Sequence, residues 1–146
     1  MRTMRALSGV ILLLASTAAV RAAGGLATAG QGVAPPVAQQ PIGTMSELMV
    51  TIVYPASDAI FYIETRTPAT EAEWSALQGK ALMVAEAGNL LMMPAHRRDE
   101  DRWLTDARLM RDAGAAAFRA AKAKNLQALV ALNDQLYQSC VTCHPH

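Results

Sequence analysis

Three stretches of the chain repeat residues at alternating spacings of three and four. The first is Trp74, Leu77, Ala81, Val84, Gly88 and Leu91. The second is Trp103, Ala107, Met110, Gly114, Ala117 and Ala121, and the third is Leu129, Leu132, Leu136, Ser139 and Cys143. Residues three and four apart share one face of an α-helix, so each stretch presents a continuous stripe. Such stripes are the seams along which helices pack; a strand repeats every two residues and could not use them. Alanine, leucine and methionine dominate, which favours helix. Hydrophobic residues make up 52% of the 146, enough for the core of one domain. Aromatic residues are only 5%, so that core is aliphatic unless a cofactor fills part of it.

The boundaries of these helices can also be read. From Ile42 onward, Met45, Met49, Ile52, Ala56, Ala59 or Ile60, and Ile63 mark an earlier helix on the same three-four rule. Pro55 interrupts it. A proline removes one helical hydrogen bond and crowds the turn before it, so the reading predicts a kink or break near Tyr54, with helix resuming at Ser57 or Asp58. A connection follows over 65–69. Thr70-Glu71-Ala72-Glu73 is a capping box that starts the next helix, and Pro94 ends it. His96-Arg97-Arg98-Asp99-Glu100-Asp101 is a charged loop, and Lys122 to Asn125 breaks the third helix, with Asn125 a candidate cap for the fourth. The chain thus reads as all-α, with four helices over 42–146.

The only two cysteines fall at the end of the last stripe, in Cys140-Val141-Thr142-Cys143-His144-Pro145-His146. Cys-x-x-Cys-His is the attachment signature of a c-type haem. Each thiol adds across a vinyl group of the porphyrin, and the histidine that follows supplies an imidazole to the iron. Three other readings stand beside it. A dithiol redox pair expects a βαβ context, and nothing upstream reads as strands. A zinc site needs four ligands, and Cys140, Cys143, His144 and His146 are packed too tightly for a relaxed tetrahedron. The plainest alternative is two cysteines with no partner. Against it stands the phase of the helix: Cys143 continues the buried stripe and Cys140 lies beside it. His146 is a rival iron ligand, or an exposed terminal histidine. His96 reads as a surface-loop histidine, and Arg97 and Arg98 as either partners for haem propionates or an exposed basic loop.

The other end of the chain reads as an export segment, over 1–23. Met1-Arg2-Thr3-Met4-Arg5 carries two arginines, Ala6 to Val20 is apolar, and small residues follow through Ala23. That order matches a secretory signal peptide, and the apolar run is shorter than the roughly 20 residues of a spanning helix. An uncleaved anchor is the alternative. No cysteine lies near position 20, so a lipid anchor has no thiol to use. Residues 24–41 are rich in glycine, proline, glutamine and alanine without periodicity, a spacer in composition. The chain has 13 basic and 12 acidic side chains; without Arg2, Arg5 and Arg21 it has 10 and 12, a net charge of −2. That balance argues against nucleic acid, which wants a basic face. Export would also bring the thiols into an oxidising compartment, where a Cys140–Cys143 disulfide is the side state if haem is absent.

Four helices ending in Cys-x-x-Cys-His resemble the class II cytochromes c, the cytochrome c′ family. The likeness covers about Ile42 to His144, and its specific part is the motif at the C-terminal end. The resemblance implies an antiparallel four-helix bundle holding one covalent haem c, attached at Cys140 and Cys143, with His144 as proximal ligand. It implies two forms. In one, a methionine of the first helix is the sixth ligand; Met49, in Glu47-Leu48-Met49 with a proline a few residues on, is similar to the low-spin members, and Met45 is the alternative. In the other the iron is five-coordinate and binds nitric oxide or similar gases. Both methionines could instead be core packing. The function implied is single-electron transport in the periplasm with redox partner proteins. No catalysis is expected, since no Ser-His-Asp set and no inward pair of carboxylates is legible. A homodimer is a further expectation of the family. The chain departs from the family at its end: members usually continue the last helix past the histidine, whereas here Pro145 follows and disfavours helical dihedrals at His144.

Overall fold

A computed structural model describes residues 39–98 and 101–145. The export segment expected over 1–23, most of the spacer expected over 24–41, and His146 lie outside the described residues. Those residues are all-α, with no strand among them. The elements are α1 (Met45–Leu48), a π-helical segment (Met49–Val53), α2 (Tyr54–Phe61), α3 (Glu71–Met92), α4 (Asp101–Lys122), α5 (Leu126–Ala131) and α6 (Asn133–Cys143). None of these helices is long and apolar enough to cross a membrane.

The first helical stretch begins at Met45, three residues later than its apolar stripe suggests. Thr44 caps it. The Thr44 hydroxyl accepts from Glu47 N (3.2 Å), while Glu47 Oε2 accepts from Thr44 N (2.8 Å), a capping box like the one expected at Thr70. The break expected near Tyr54 does not occur. Helix runs on through Pro55, which sits in the first turn of α2. The segment before it widens to a π-helix instead, with Tyr54 N–H reaching back five residues to Met49 O. A π-turn leaves a looser ladder, into which a residue without N–H fits without breaking the helix. Ser57 adds a hydrogen bond to Val53 O at 2.8 Å. The widening also changes which face is buried. Leu48 and Val53, five apart, are buried, as are Ala56, Ile60 and Ile63, whereas Met45, Met49, Ile52 and Ala59 are only half-buried.

The later helices follow their stripes. Thr70 and Glu73 form the expected capping box at α3. Trp74, Leu77, Ala81, Val84, Gly88 and Leu91 are all buried, and so are Trp103, Ala107, Met110, Gly114, Ala117 and Ala121. Helix α3 ends at Met92, where Met93 turns extended (φ −68°, ψ 144°) as a residue before proline prefers. Helices α3 and α4 run antiparallel and make the largest helix pairing in the fold. Two glycines set their separation. A Cβ on Gly114 would come within 2.5 Å of Ala85 N, and one on Gly88 within 2.8 Å of Arg111 Cα. Both obstacles are backbone, so only a residue without Cβ allows this approach. Trp103 Nε1 donates to Leu91 O and ties the start of α4 to the end of α3.

Helix α4 ends at Lys122, and Lys124 just beyond it adopts a left-handed conformation (φ 52°). Asn125 N–H reaches Ala120 O and Lys124 N–H reaches Ala121 O, the two bonds of a Schellman ending. Asn125 then caps α5, its side chain accepting from Ala128 N at 3.0 Å, as the sequence suggests. The fourth helix, expected as one piece, is two, α5 and α6, which meet at Leu132 (φ −87°, ψ −10°). The stripe survives the join: Leu129, Leu136 and Ser139 are buried and Leu132 and Cys143 half-buried. Helix α6 packs against α4 and against α2, and Asn133 Nδ2 donates to Phe61 O at 3.3 Å.

Gly114→Ala is expected to destabilise the fold by about 1–3 kcal/mol, because overpacking outweighs the helix-propensity gain. Gly79, where an added Cβ meets nothing within 4 Å, is the control: Gly79→Ala should stabilise by about 0.5–1 kcal/mol. Urea unfolding of the two variants checks both signs.

Candidate functional site

The Cys-x-x-Cys-His turn is built by ordinary helix chemistry. Helix α6 carries Cys140 and Cys143 on its inner side, and His144 caps it in a helical conformation (φ −65°, ψ −21°). The displacement expected from Pro145 is therefore not found. The ψ of His144 is shifted from the helical value toward zero, and its N–H still closes the last turn onto Cys140 O at 3.0 Å. Two side chains share the Leu136 carbonyl: Ser139 Oγ donates at 2.7 Å and Cys140 Sγ at 3.4 Å. Burial pushes the Cys140 thiol above its ordinary range, and the neighbouring Ser139 hydroxyl offsets part of that rise.

Beside this turn lies a cavity of about 590 Å³, inside the range of roughly 300–1,000 Å³ usual for ligand pockets. Cys140, Cys143 and His144 line one wall. Met49, Val53, Tyr54 and Phe61 line another, and Leu91, Ala107 and Met110 close it from α3 and α4. Its lining is mostly apolar. A second recess, of about 150 Å³, is bounded by Met45, Met49, Arg98, Trp103, Cys143 and His144. Met49, Cys143 and His144 thus border both spaces, and Met45 only the smaller one. His144 itself is largely exposed.

Other residues singled out in the sequence fall elsewhere. His96 is half-buried rather than on the open surface, and its Nδ1 has no hydrogen-bond partner among the described residues. It lines a separate groove of about 560 Å³ with Glu47, Leu48 and Leu90. Arg98 borders the smaller recess, and Arg97 is exposed in the same loop. Among the described residues no three His, Cys, Asp or Glu side chains group as a metal-ion site.

Sequence reasoning passed over Asp106. It is buried, lines the cavity, and accepts a hydrogen bond from Thr142 at 2.7 Å. The signal was there: Asp106 lies three after Trp103 and four before Met110, on the buried face, but a lone carboxylate reads first as a solvated residue. Tyr54 and Tyr137, exposed at the cavity edge, were missed for the opposite reason, since neither falls on a stripe. Compared with known proteins, the chain matches no family model, no curated protein and no solved structure.

The raised Cys140 thiol gives a pH prediction for the protein with both thiols free. The folded state disfavours the thiolate, so this contribution to stability is complete below the unfolded thiol's range. It is lost as pH rises past the ordinary value of 9.0. The urea midpoint should fall more steeply between about pH 8 and 10 in the wild type than in Cys140→Ser.

Proposed function

We propose that the chain is a c-type cytochrome of the class II, cytochrome c′-like kind. In this reading it is an antiparallel four-helix bundle, exported by residues 1–23, which carries single electrons in the periplasm. One haem c is held covalently by Cys140 and Cys143, with His144 as the proximal ligand and Met49 as the distal one. The observation that carries the reading is that both thiols, the imidazole and the Met49 thioether border a single apolar cavity of about 590 Å³. That donor set fits the group: two thiols three residues apart, a nitrogen ligand next to them in sequence, and a soft sulfur on another helix.

When bound, the haem supplies a one-electron couple; the chain's residues decide how that couple behaves. Cys140 and Cys143 hold the group to α6, so it is not lost in a dilute compartment. Met110, Leu91, Phe61 and Val53 would give it apolar walls on the inner side. If Met49 and His144 both held the iron, the thioether would favour the reduced state and no position would be left for a substrate. Met49 is favoured over Met45 because it borders the larger cavity as well as the recess beside His144. Redox partner proteins are the partners this function requires.

The recess of about 150 Å³ between Met49 and His144 is the observation that favours a second reading, five-coordinate iron that binds a diatomic gas such as nitric oxide. An absorption spectrum of protein matured in the periplasm separates the two. A sharp reduced α band with a methionine-to-iron charge-transfer band is expected, and Met49→Ala should convert low-spin iron to high-spin while Met45→Ala leaves it low-spin. A broad high-spin wild-type spectrum that shifts with carbon monoxide would favour the gas-binding form. A colourless protein would overturn both.

A further inference from the structure

The lining of the cavity includes one acidic side chain, Asp106 on α4, which is only 9% exposed. A buried carboxylate without a partner is costly, and this one has a partner in Thr142, inside the Cys140-Val141-Thr142-Cys143 turn. The Thr142 hydroxyl lies 2.7 Å from Asp106 Oδ1 and also 2.7 Å from Gln138 O. It has one proton for two acceptors, and the carboxylate is the stronger. The bonds from Cys140, Ser139 and His144 all run within α6. They keep the turn helical but do not fix its rotation about the helix axis. The Asp106 bond does, because it anchors the turn to a different helix. Thr142 stands about 100° round the axis from Cys143, so a slip of that size would carry the thiols away from the cavity.

We propose that Asp106 is the positioning residue of the attachment turn, holding Cys140, Cys143 and His144 toward the cavity through Thr142. The contact stands by itself; its consequence for an iron site rests on the function proposed above.

The test uses the full chain in haem-free form, with iodoacetamide as the probe of Cys140 and Cys143 at fixed pH. Thr142→Val removes the hydroxyl at nearly constant shape, Thr142→Ser keeps it, and Asp106→Asn keeps an acceptor oxygen. Thr142→Val should be labelled about tenfold faster than wild type, the change in local opening expected from losing a charge-assisted hydrogen bond. Thr142→Ser should return to the wild-type rate, and Asp106→Asn should stay within about threefold of it. A Thr142→Val rate equal to wild type, or a Thr142→Ser rate equal to Thr142→Val, would overturn the proposal. In haem-loaded protein, Thr142→Val should broaden the visible bands and Thr142→Ser restore them; identical bands in all three would also count against it. A wild type that takes up no haem would remove the electron-carrier reading and leave the labelling rates to decide the role of Asp106.

Discussion

The packing of α6 against α4 determines where the two thiols point. A helix with cysteines three apart can aim them anywhere around its axis; what aims these is the stripe that Cys143 continues. Leu129, Leu136 and Ser139 are driven inward because burying apolar surface is worth roughly 25 cal/mol per Å². Cys143 and Cys140 follow in phase toward the cavity, and the bond from Thr142 to Asp106 ties their turn to α4. Helix α4 can receive α6 there because it is itself fixed against α3, through the glycine contacts at Gly88 and Gly114 and the indole bond from Trp103 to Leu91.

The first helical stretch supplies the facing wall, and its irregularity bears on the site. Pro55 cannot donate a hydrogen bond, and the helix accommodates it by a π-segment that begins at Met49. Such segments occur often at functional sites, where one extra residue per turn re-aims a side chain. Here the buried line passes from Leu48 to Val53, and Met49 stands off it, half-buried and bordering both the cavity and the recess near His144. In the proposed reading the thioether, packed at the edge of the core and bordering the cavity, would be the sulfur offered to the iron.

The helices after residue 70 were legible because two local rules agreed for each. Stripe positions from Trp74 to Ala121 are buried throughout, and the caps at Thr70 and Asn125 form as their side chains require. The first stretch was misread in phase. The stripe at a period of 3.6 runs through Met45, Met49 and Ile52, where the ladder has a wider turn, so Leu48 and Val53 are buried in their place, while beyond Pro55 its Ala56, Ile60 and Ile63 are buried. The join at Leu132 was invisible because its stripe continues without a break. At the site, Cys140, Cys143, His144 and Met49 are brought to one cavity by spacing and topology that the sequence carries. Asp106 needed the tertiary contact with Thr142 to give its burial a meaning.

The proposed function stands on a porphyrin joined by two thioether bonds to the end of α6. Intact-mass measurement of the exported protein, after denaturation in acid, tests this most directly, because only a covalent group survives. The expected result is one species heavier than the processed polypeptide by a single haem, with the added mass on the peptide containing Cys140 and Cys143. A polypeptide of unmodified mass, or one lighter by two hydrogens with the two cysteines joined to each other, would contradict it.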